Sequence, residues 1–173
     1  ISVGSQQIDW KKALWNFPKG LKVFISQNTL FKTRPIVGFI HALVAWGFTL
    51  YLIVNVVDVL YGFIPDFHFF SNYFIGKMYR IFVDVFTVLV LVGVFYFLVR
   101  RFIFNDKRLI INKPVMISEE ARIGMRNDSL LVGLFILFHV GARFLSASFE
   151  IAKNGVDDFQ PAAPTVSLLW SNF

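Results

Sequence analysis

Three long runs of apolar residues constrain what this chain can fold into. Ile36–Val57 carries no formal charge, Ile81–Val99 carries only Asp84, and Ser129–Phe149 carries only Arg143. A helix needs about 20 predominantly apolar residues to cross the hydrocarbon core of a bilayer. Backbone groups within lipid must be hydrogen-bonded internally, as they are in a helix. The sequence therefore predicts an all-α integral membrane bundle with three complete transmembrane helices.

The composition agrees with a membrane protein. Hydrophobic residues make up 56% of the 173 residues and charged residues 16%, whereas a soluble domain carries about 25% charged residues. The absence of cysteine excludes a disulfide or an iron–sulfur cluster held by cysteines within this stretch. Because the basic residues flank the apolar runs, the net charge of +6 indicates membrane orientation rather than nucleic-acid binding.

Both ends of the sequence suggest a segment of a longer protein. The first residue is Ile1 rather than methionine. Residues 162–173 are similar to the opening of an apolar helix, but they are too few to cross a bilayer. We therefore expect a truncated fourth helix at this end.

The N-terminal residues 1–35 form a region distinct from the transmembrane domain at 36–173. Aromatic and aliphatic residues alternate there with basic ones, as in an amphipathic segment that lies in the membrane interface. Pro18 and Gly20 are expected to break this segment. A solvated basic arm is the alternative interpretation.

The distribution of basic residues predicts the orientation. Of the 17 Lys and Arg residues, six precede the first span and seven lie within residues 100–128. Two spans separate these segments, which places them on the same side. The positive-inside rule puts both in the cytoplasm, and it puts residues 62–79 and 151–161 outside.

Polar residues concentrate in the third span. His139, Arg143, Ser146 and Glu150 are spaced by four, three and four residues, which places them on one helix face. Polar side chains within a span usually face the interior of a bundle. We therefore expect this stripe to face inward and the residues around the opposite side to face lipid: Leu134, Leu137, Phe138, Phe144 and Leu145.

His41 lies in the first span, where His41, Phe48 and Asn55 recur every seven residues, with Gly38 and Ala45 nearby. These small residues would let a flat cofactor or a neighbouring helix come close. Two intramembrane histidines on different helices suit a haem with two imidazole ligands.

The two histidines can be read in more than one way. They would either share one iron or bind one haem each with ligands outside this segment. Alternatively, each histidine hydrogen-bonds a neighbouring helix. His68 lies among phenylalanines in a loop, where interfacial packing is the better interpretation.

Arg143 needs a partner within the membrane. Counted from the predicted span ends, Asp84 and Arg143 both lie in the outer half of the bilayer, so an ion pair between them is the first expectation. The competing role for Arg143 is contact with a haem propionate or a quinone carbonyl.

The region around His41 resembles a known family. The resemblance rests on the motif Arg34-Pro35, Gly38, His41-Ala42 and Trp46-Gly47-Phe48. It is similar to the membrane domain of heterodisulfide-reductase-related iron–sulfur proteins, including the membrane partner of electron-transferring flavoprotein. That domain resembles the gamma, cytochrome b subunit of respiratory nitrate reductase. The likeness covers residues 11–170, although only this motif is specific.

The resemblance implies haem b near His41, with His139 as a ligand on a later span. It also implies quinone as the redox partner, and a cytoplasmic iron–sulfur domain or subunit outside this segment. The chain would then relay electrons between that partner, or electron-transferring flavoprotein, and the quinone pool in a bacterial or archaeal cytoplasmic membrane. It would form part of a quinone-linked oxidoreductase, with no catalytic residue of its own.

Two other functions compete with this one. The first is a non-catalytic accessory subunit of a respiratory or photosynthetic complex, in which the spans are packing surfaces. The second is a transporter fragment with a polar path along Asp84, Arg143 and Glu150. Neither the broken spans nor the matching second half expected of many transporters is visible in the sequence.

Overall fold

The computed structural model describes residues 9–65, 67, 73–105 and 118–170. Within these ranges every regular element is a helix. In chain order they are α1 (Trp10–Ser26), α2 (Asn28–Thr33), α3 (Pro35–Phe63), α4 (Phe74–Leu98), α5 (Glu119–Asn154) and α6 (Ala163–Ser167). A π-helical turn, Val99–Ile103, extends α4, and a 3₁₀ turn, Leu168–Trp170, follows α6.

Three of the helices are long and apolar enough to cross a membrane: α3, α4 with its π-helical turn, and α5. This confirms the predicted all-α bundle and indicates a multi-pass membrane protein. Each helix includes one of the predicted spans at 36–57, 81–99 and 129–149. All three extend beyond those limits, because hydropathy marks the part of a helix that lies in hydrocarbon rather than the ends of the helix.

Residues 62–79, which were expected to form a loop outside the membrane between the first two spans, are helical at both ends. Helix α3 continues through Phe63, and α4 begins at Phe74, so that Lys77 and Arg80 lie on a helix. Likewise, the polar residues that precede the third span include nearly the first three turns of α5. That helix begins after Ser118, whose side chain accepts a hydrogen bond from the Ala121 N–H at 3.3 Å. His68 lies outside the described residues.

The chain divides into two units, Ile1–Ala42 and Leu43–Phe173, and each is described by itself. In the first unit, α1 runs through Pro18 and Gly20, so the break predicted there is wrong. A helix can accommodate proline when the carbonyl one turn earlier finds solvent instead of an N–H, and α1 is exposed along its length. The break comes at Gln27, which adopts a left-handed conformation with φ 47°.

The second unit is built around a small core between α3, α4 and α5. Tyr51, Val90, Val94 and Val140 are buried there. Glycines let α4 approach both of its neighbours closely: on α3, a Cβ added at Gly47 would collide with Val90. Similarly, a Cβ added at Gly133 would lie 2.6 Å from Leu98 Cδ2. Small residues at such crossings are typical of membrane helix packing.

A hydrogen bond between buried side chains also joins α3 to α4. The Thr87 hydroxyl donates to the Val83 carbonyl at 2.6 Å. The Tyr51 hydroxyl lies 2.6 Å from Thr87 Oγ1 and can donate to it.

A short helix begins where the truncated fourth helix was predicted. Helix α6 packs against α5. The following 3₁₀ turn is fixed by Trp170, whose Nε1 donates to Ser148 Oγ at 2.9 Å and whose ring meets Phe149 edge-on. Residues 171–173 lie outside the described residues.

Candidate functional site

Arg143 of α5 forms a two-pronged ion pair with Asp58 of α3. Its Nε donates to Asp58 Oδ2 at 3.0 Å, and its Nη2 donates to Oδ1 at 2.8 Å. Parallel hydrogen bonds of this kind are the strong form of an arginine–carboxylate contact. The pair ties the C-terminal part of α3 to α5.

The predicted pair between Arg143 and Asp84 is therefore wrong. The buried Asp84 carboxylate instead accepts hydrogen bonds from the backbone N–H groups of Ala162 and Ala163, the latter at 3.1 Å. These N–H groups open α6 and have no acceptor within that helix. Asp84 thus anchors α6 to α4. Asp58, and not Asp84, is the ion-pair partner of Arg143.

A cavity of about 370 Å³ opens beside the Arg143–Asp58 pair, and we call it the polar cleft. It lies between the C-terminal parts of α3 and α5 and the N-terminal part of α4. Its polar lining residues are Asp58, Tyr61, Tyr79, Arg80, Arg143, Glu150, Asn154, Asp157 and Gln160. A smaller cavity of about 80 Å³ shares Tyr79 and Arg143 with the cleft and is also lined by Asp84 and Thr87.

The segment after α5 closes one side of the polar cleft. Asp157 Oδ2 lies 2.9 Å from Arg80 Nε, and the two side chains are mostly shielded. The Phe159 ring lies beneath two cations, with Lys77 Nζ at 5.0 Å and the Arg80 guanidinium carbon at 5.5 Å from its centroid. Such cation–π contacts hold the segment on α4.

His139 lies near the middle of α5, and its side chain is exposed. Its ring stacks on the ring of Phe135, one turn earlier, with centroids 6.0 Å apart and planes within 6°. The neighbouring Ala142 is exposed as well, so a small side chain adjoins the imidazole. A flat group could therefore approach the imidazole from outside the packed helices.

The polar stripe of α5 faces the neighbouring helices only in part: Arg143 pairs with Asp58 of α3 and Glu150 lines the polar cleft, but none of the four residues is buried. His139, Ser146 and Glu150 are exposed, and Arg143 is intermediate. The buried residues of α5 are Gly133, Val140, Ser148 and Ile151. Two residues expected to face lipid also turn inward: Leu137 packs on the core and Phe144 lines the smaller cavity. Spacing grouped the polar residues correctly, but the face that packs is set by the small residues.

His41 lies in the second turn of α3 and is also exposed. Phe48 and Asn55, its predicted companions, are exposed too. Gly38 is buried, and a Cβ there would lie 2.8 Å from the Leu30 carbonyl group of α2. The space at Gly38 therefore accommodates a neighbouring helix and not a cofactor, which resolves one of the two uses suggested by the sequence.

The residues that could bind ligands thus form two kinds of site. The exposed imidazoles of His41 and His139 can each offer a ring nitrogen to a metal centre such as haem iron. The polar cleft offers hydrogen-bond donors and acceptors to a small polar ligand. Among the described residues no group of three or more histidines or carboxylates could hold a metal ion.

Sequence reasoning missed most of the polar cleft. Asp58 was overlooked because it follows the first apolar run immediately and so lies just outside the predicted span. Tyr79 and Asp157 were assigned to segments outside the spans, and Arg80 was assigned to the boundary of the second span. The signal available was Arg143 itself, since an arginine within a span implies a carboxylate on a neighbouring helix.

Comparisons with protein-family models, curated proteins and solved structures gave no match to this chain.

Proposed function

We propose that this chain is a membrane electron-transfer domain that binds b-type haem through His41 and His139. It relays electrons between a cytoplasmic iron–sulfur or flavoprotein partner and the quinone pool, as the resemblance around His41 implies. A bound haem would supply one-electron redox chemistry, and the imidazoles of His41 and His139 would hold its iron within the membrane. The membrane is the bacterial or archaeal cytoplasmic membrane, with the basic segments on its inner side.

The exposed position of His139 in the middle of a membrane-length helix carries this proposal. Polar groups within the bilayer are costly when they face lipid, and they mark functional sites by default. A haem ligated at this face would cover the imidazole and remove that cost. The Phe135 ring packs parallel to the imidazole, and the exposed Ala142 adds little bulk beside it, so the imidazole stays open to a macrocycle.

A difference spectrum tests the haem. The full chain is purified, and its dithionite-reduced minus oxidised spectrum is recorded for the wild type, His41→Ala and His139→Ala. Asn55→Ala and Phe138→Ala are matched controls, because each replaces an exposed side chain of the same helix without removing a ligand atom. We expect a b-type alpha band in the wild type and in both controls.

The pattern of loss identifies the ligands. A band lost in both histidine variants indicates one shared haem, whereas a band that survives His139→Ala indicates an axial ligand outside this segment. Absence of the band from the wild type would refute the haem proposal.

We assign the quinone to the polar cleft, with Arg143 as its hydrogen-bond donor. The fork with Asp58 engages Nε and Nη2 of Arg143 and leaves Nη1 outside that pair. Guanidinium N–H groups suit a quinone carbonyl oxygen. The cleft volume of about 370 Å³ lies within the range of small-ligand pockets. In proteoliposomes, haem reduction by a short-chain quinol should slow in the doubly neutral variant Asp58→Asn with Arg143→Gln.

The exposed apolar faces of the three long helices favour a second candidate function, the accessory subunit. Phe48, Phe82, Phe95, Phe135 and Phe138 are all exposed on the three long helices, and such faces contact lipid or other helices. The same difference spectrum separates the two functions, since a packing subunit has no need of a redox centre.

A further inference from the structure

Helix α1 has two chemically opposite faces, and both are exposed to solvent. With 3.6 residues per turn, Trp10, Leu14, Phe17, Leu21 and Phe24 fall on one face. All five are between 42% and 73% exposed. An apolar face of this size on an exposed helix requires something to cover it.

The other face of α1 is basic. It carries Lys11, Lys12, Lys19 and Lys22, which are all exposed and fall within an arc of about 100°. The helix contains no acidic residue. The carboxylate nearest to it in the sequence, Asp9, caps the N-terminus by accepting a hydrogen bond from the Lys12 N–H at 3.1 Å. A partner that fits α1 therefore offers an apolar region to one face and negative charge to the other.

The position of α1 in the chain favours the membrane surface as the partner of both faces. Eight residues separate Ser26 from Pro35, where the first membrane-length helix begins. Even fully extended, such a linker reaches only about 28 Å. Helix α2 shortens it further, because its Leu30 backbone lies against Gly38 of α3. Helix α1 is thus held within reach of the membrane surface at all times.

We propose that α1 docks on anionic phospholipid, with its apolar face among the acyl chains near the headgroups and its lysines at the lipid phosphates. This geometry is that of an interfacial helix, in which apolar insertion and attraction to anionic lipid add. It makes α1 a lipid-sensing element, and the proposal does not depend on haem binding.

Trp15 and Val23 are exceptions to the pattern, because both lie on the basic side of α1. Trp15 is 78% exposed between lysines. Tryptophan is favoured at the headgroup level, where its ring is partly in contact with water. Its position therefore agrees with a helix lying at the interface rather than inside a protein core.

Site-directed spin labelling of the full chain tests the proposal. Since the chain has no cysteine, Leu14→Cys and Asn16→Cys each create a unique labelling site on the apolar and polar faces, respectively. The labelled proteins are reconstituted into phosphatidylcholine vesicles with or without about one quarter phosphatidylglycerol. Accessibility to oxygen, which concentrates in lipid, is compared with accessibility to a water-soluble nickel chelate.

With phosphatidylglycerol, we expect the label at residue 14 to favour oxygen and the label at residue 16 to favour nickel. Without it, or with all four lysines replaced by glutamine, the inserted population should fall about tenfold or more. Circular dichroism and gel filtration check that the glutamine variant is folded.

Three results would overturn the proposal. If both labels were accessible to the nickel chelate in anionic vesicles, α1 would be solvated. Labels shielded from both reagents would show that a protein covers the helix. An oxygen preference at residue 14 that is independent of phosphatidylglycerol and of the lysines would show apolar insertion without recognition of anionic lipid.

Discussion

The ion pair between Arg143 and Asp58 makes a quantitative prediction. The Arg143 side chain is 28% exposed and that of Asp58 is 48% exposed, so the pair lies between the exposed and buried limits. Exposed pairs contribute about 0–1 kcal/mol, whereas breaking a buried pair costs about 3–5 kcal/mol. Asp58→Ala should therefore lower the free energy of unfolding by about 2 kcal/mol, because it leaves the arginine charge without its partner.

A double-mutant cycle isolates the contact. Asp58→Ala, Arg143→Ala and the double variant are unfolded in mixed micelles with increasing SDS, and helicity is followed by circular dichroism. We expect the double variant to be more stable than the sum of the single changes predicts, with a coupling of about 1–2 kcal/mol. Glu150→Ala is the control, since it removes a carboxylate that lines the same cleft, and it should change stability by less than about 0.5 kcal/mol.

A second cycle tests the pairing that the sequence suggested. Asp84→Ala and Arg143→Ala should combine nearly additively, because the Asp84 carboxylate binds the N-terminus of α6. The reasoning would be refuted if the Asp84 cycle showed the larger coupling, or if the Asp58 cycle showed less than about 0.5 kcal/mol.

Other changes test the packing of the second unit. Asp84→Ala should raise amide exchange in α6 and cost about 2 kcal/mol, whereas Asp84→Asn, which keeps an acceptor oxygen, should cost less; equal effects would argue against the cap. Gly47→Ala should cost about 1–3 kcal/mol by forcing α3 from Val90, while Gly62→Ala, in open space, should cost little; SDS unfolding compares the two. Tyr51→Phe should cost about 1 kcal/mol by removing the hydrogen bond to Thr87, and a neutral result would show that this bond adds nothing.

The three spans could be predicted from the sequence because hydrophobic length is a local property. Their ends could not, since a helix continues through charged residues once it leaves the hydrocarbon. Arg80 illustrates this: it limited the predicted second span, yet it lies on α4 and contacts Phe159. The same error misplaced Asp84. Counted from Ile81 it lies near a span end, but counted from Phe74 it lies deep in the helix.

The ligand-bearing faces were predicted only in part. The spacing correctly placed His139 and Arg143 on one face of α5, but spacing does not determine which face packs on the neighbouring helices. Gly133 decides that, because the close approach of Leu98 needs a residue without a side chain. The partner of Arg143 could not be predicted for a related reason. The choice between Asp58 and Asp84 depends on how far α3 extends, and α3 includes Asp58 because it continues to Phe63.

The structure divides the intramembrane polar groups into two sets, and this division bears on function. Arg143, Asp58, Asp84 and Thr87 all have partners within the chain, so they build the polar cleft and the contacts around it without outside help. His139 faces outward from the middle of a span, where lipid alone would leave its ring nitrogens poorly solvated. Its outward position is the observation on which the haem proposal rests, and the difference spectrum of the purified protein tests that proposal.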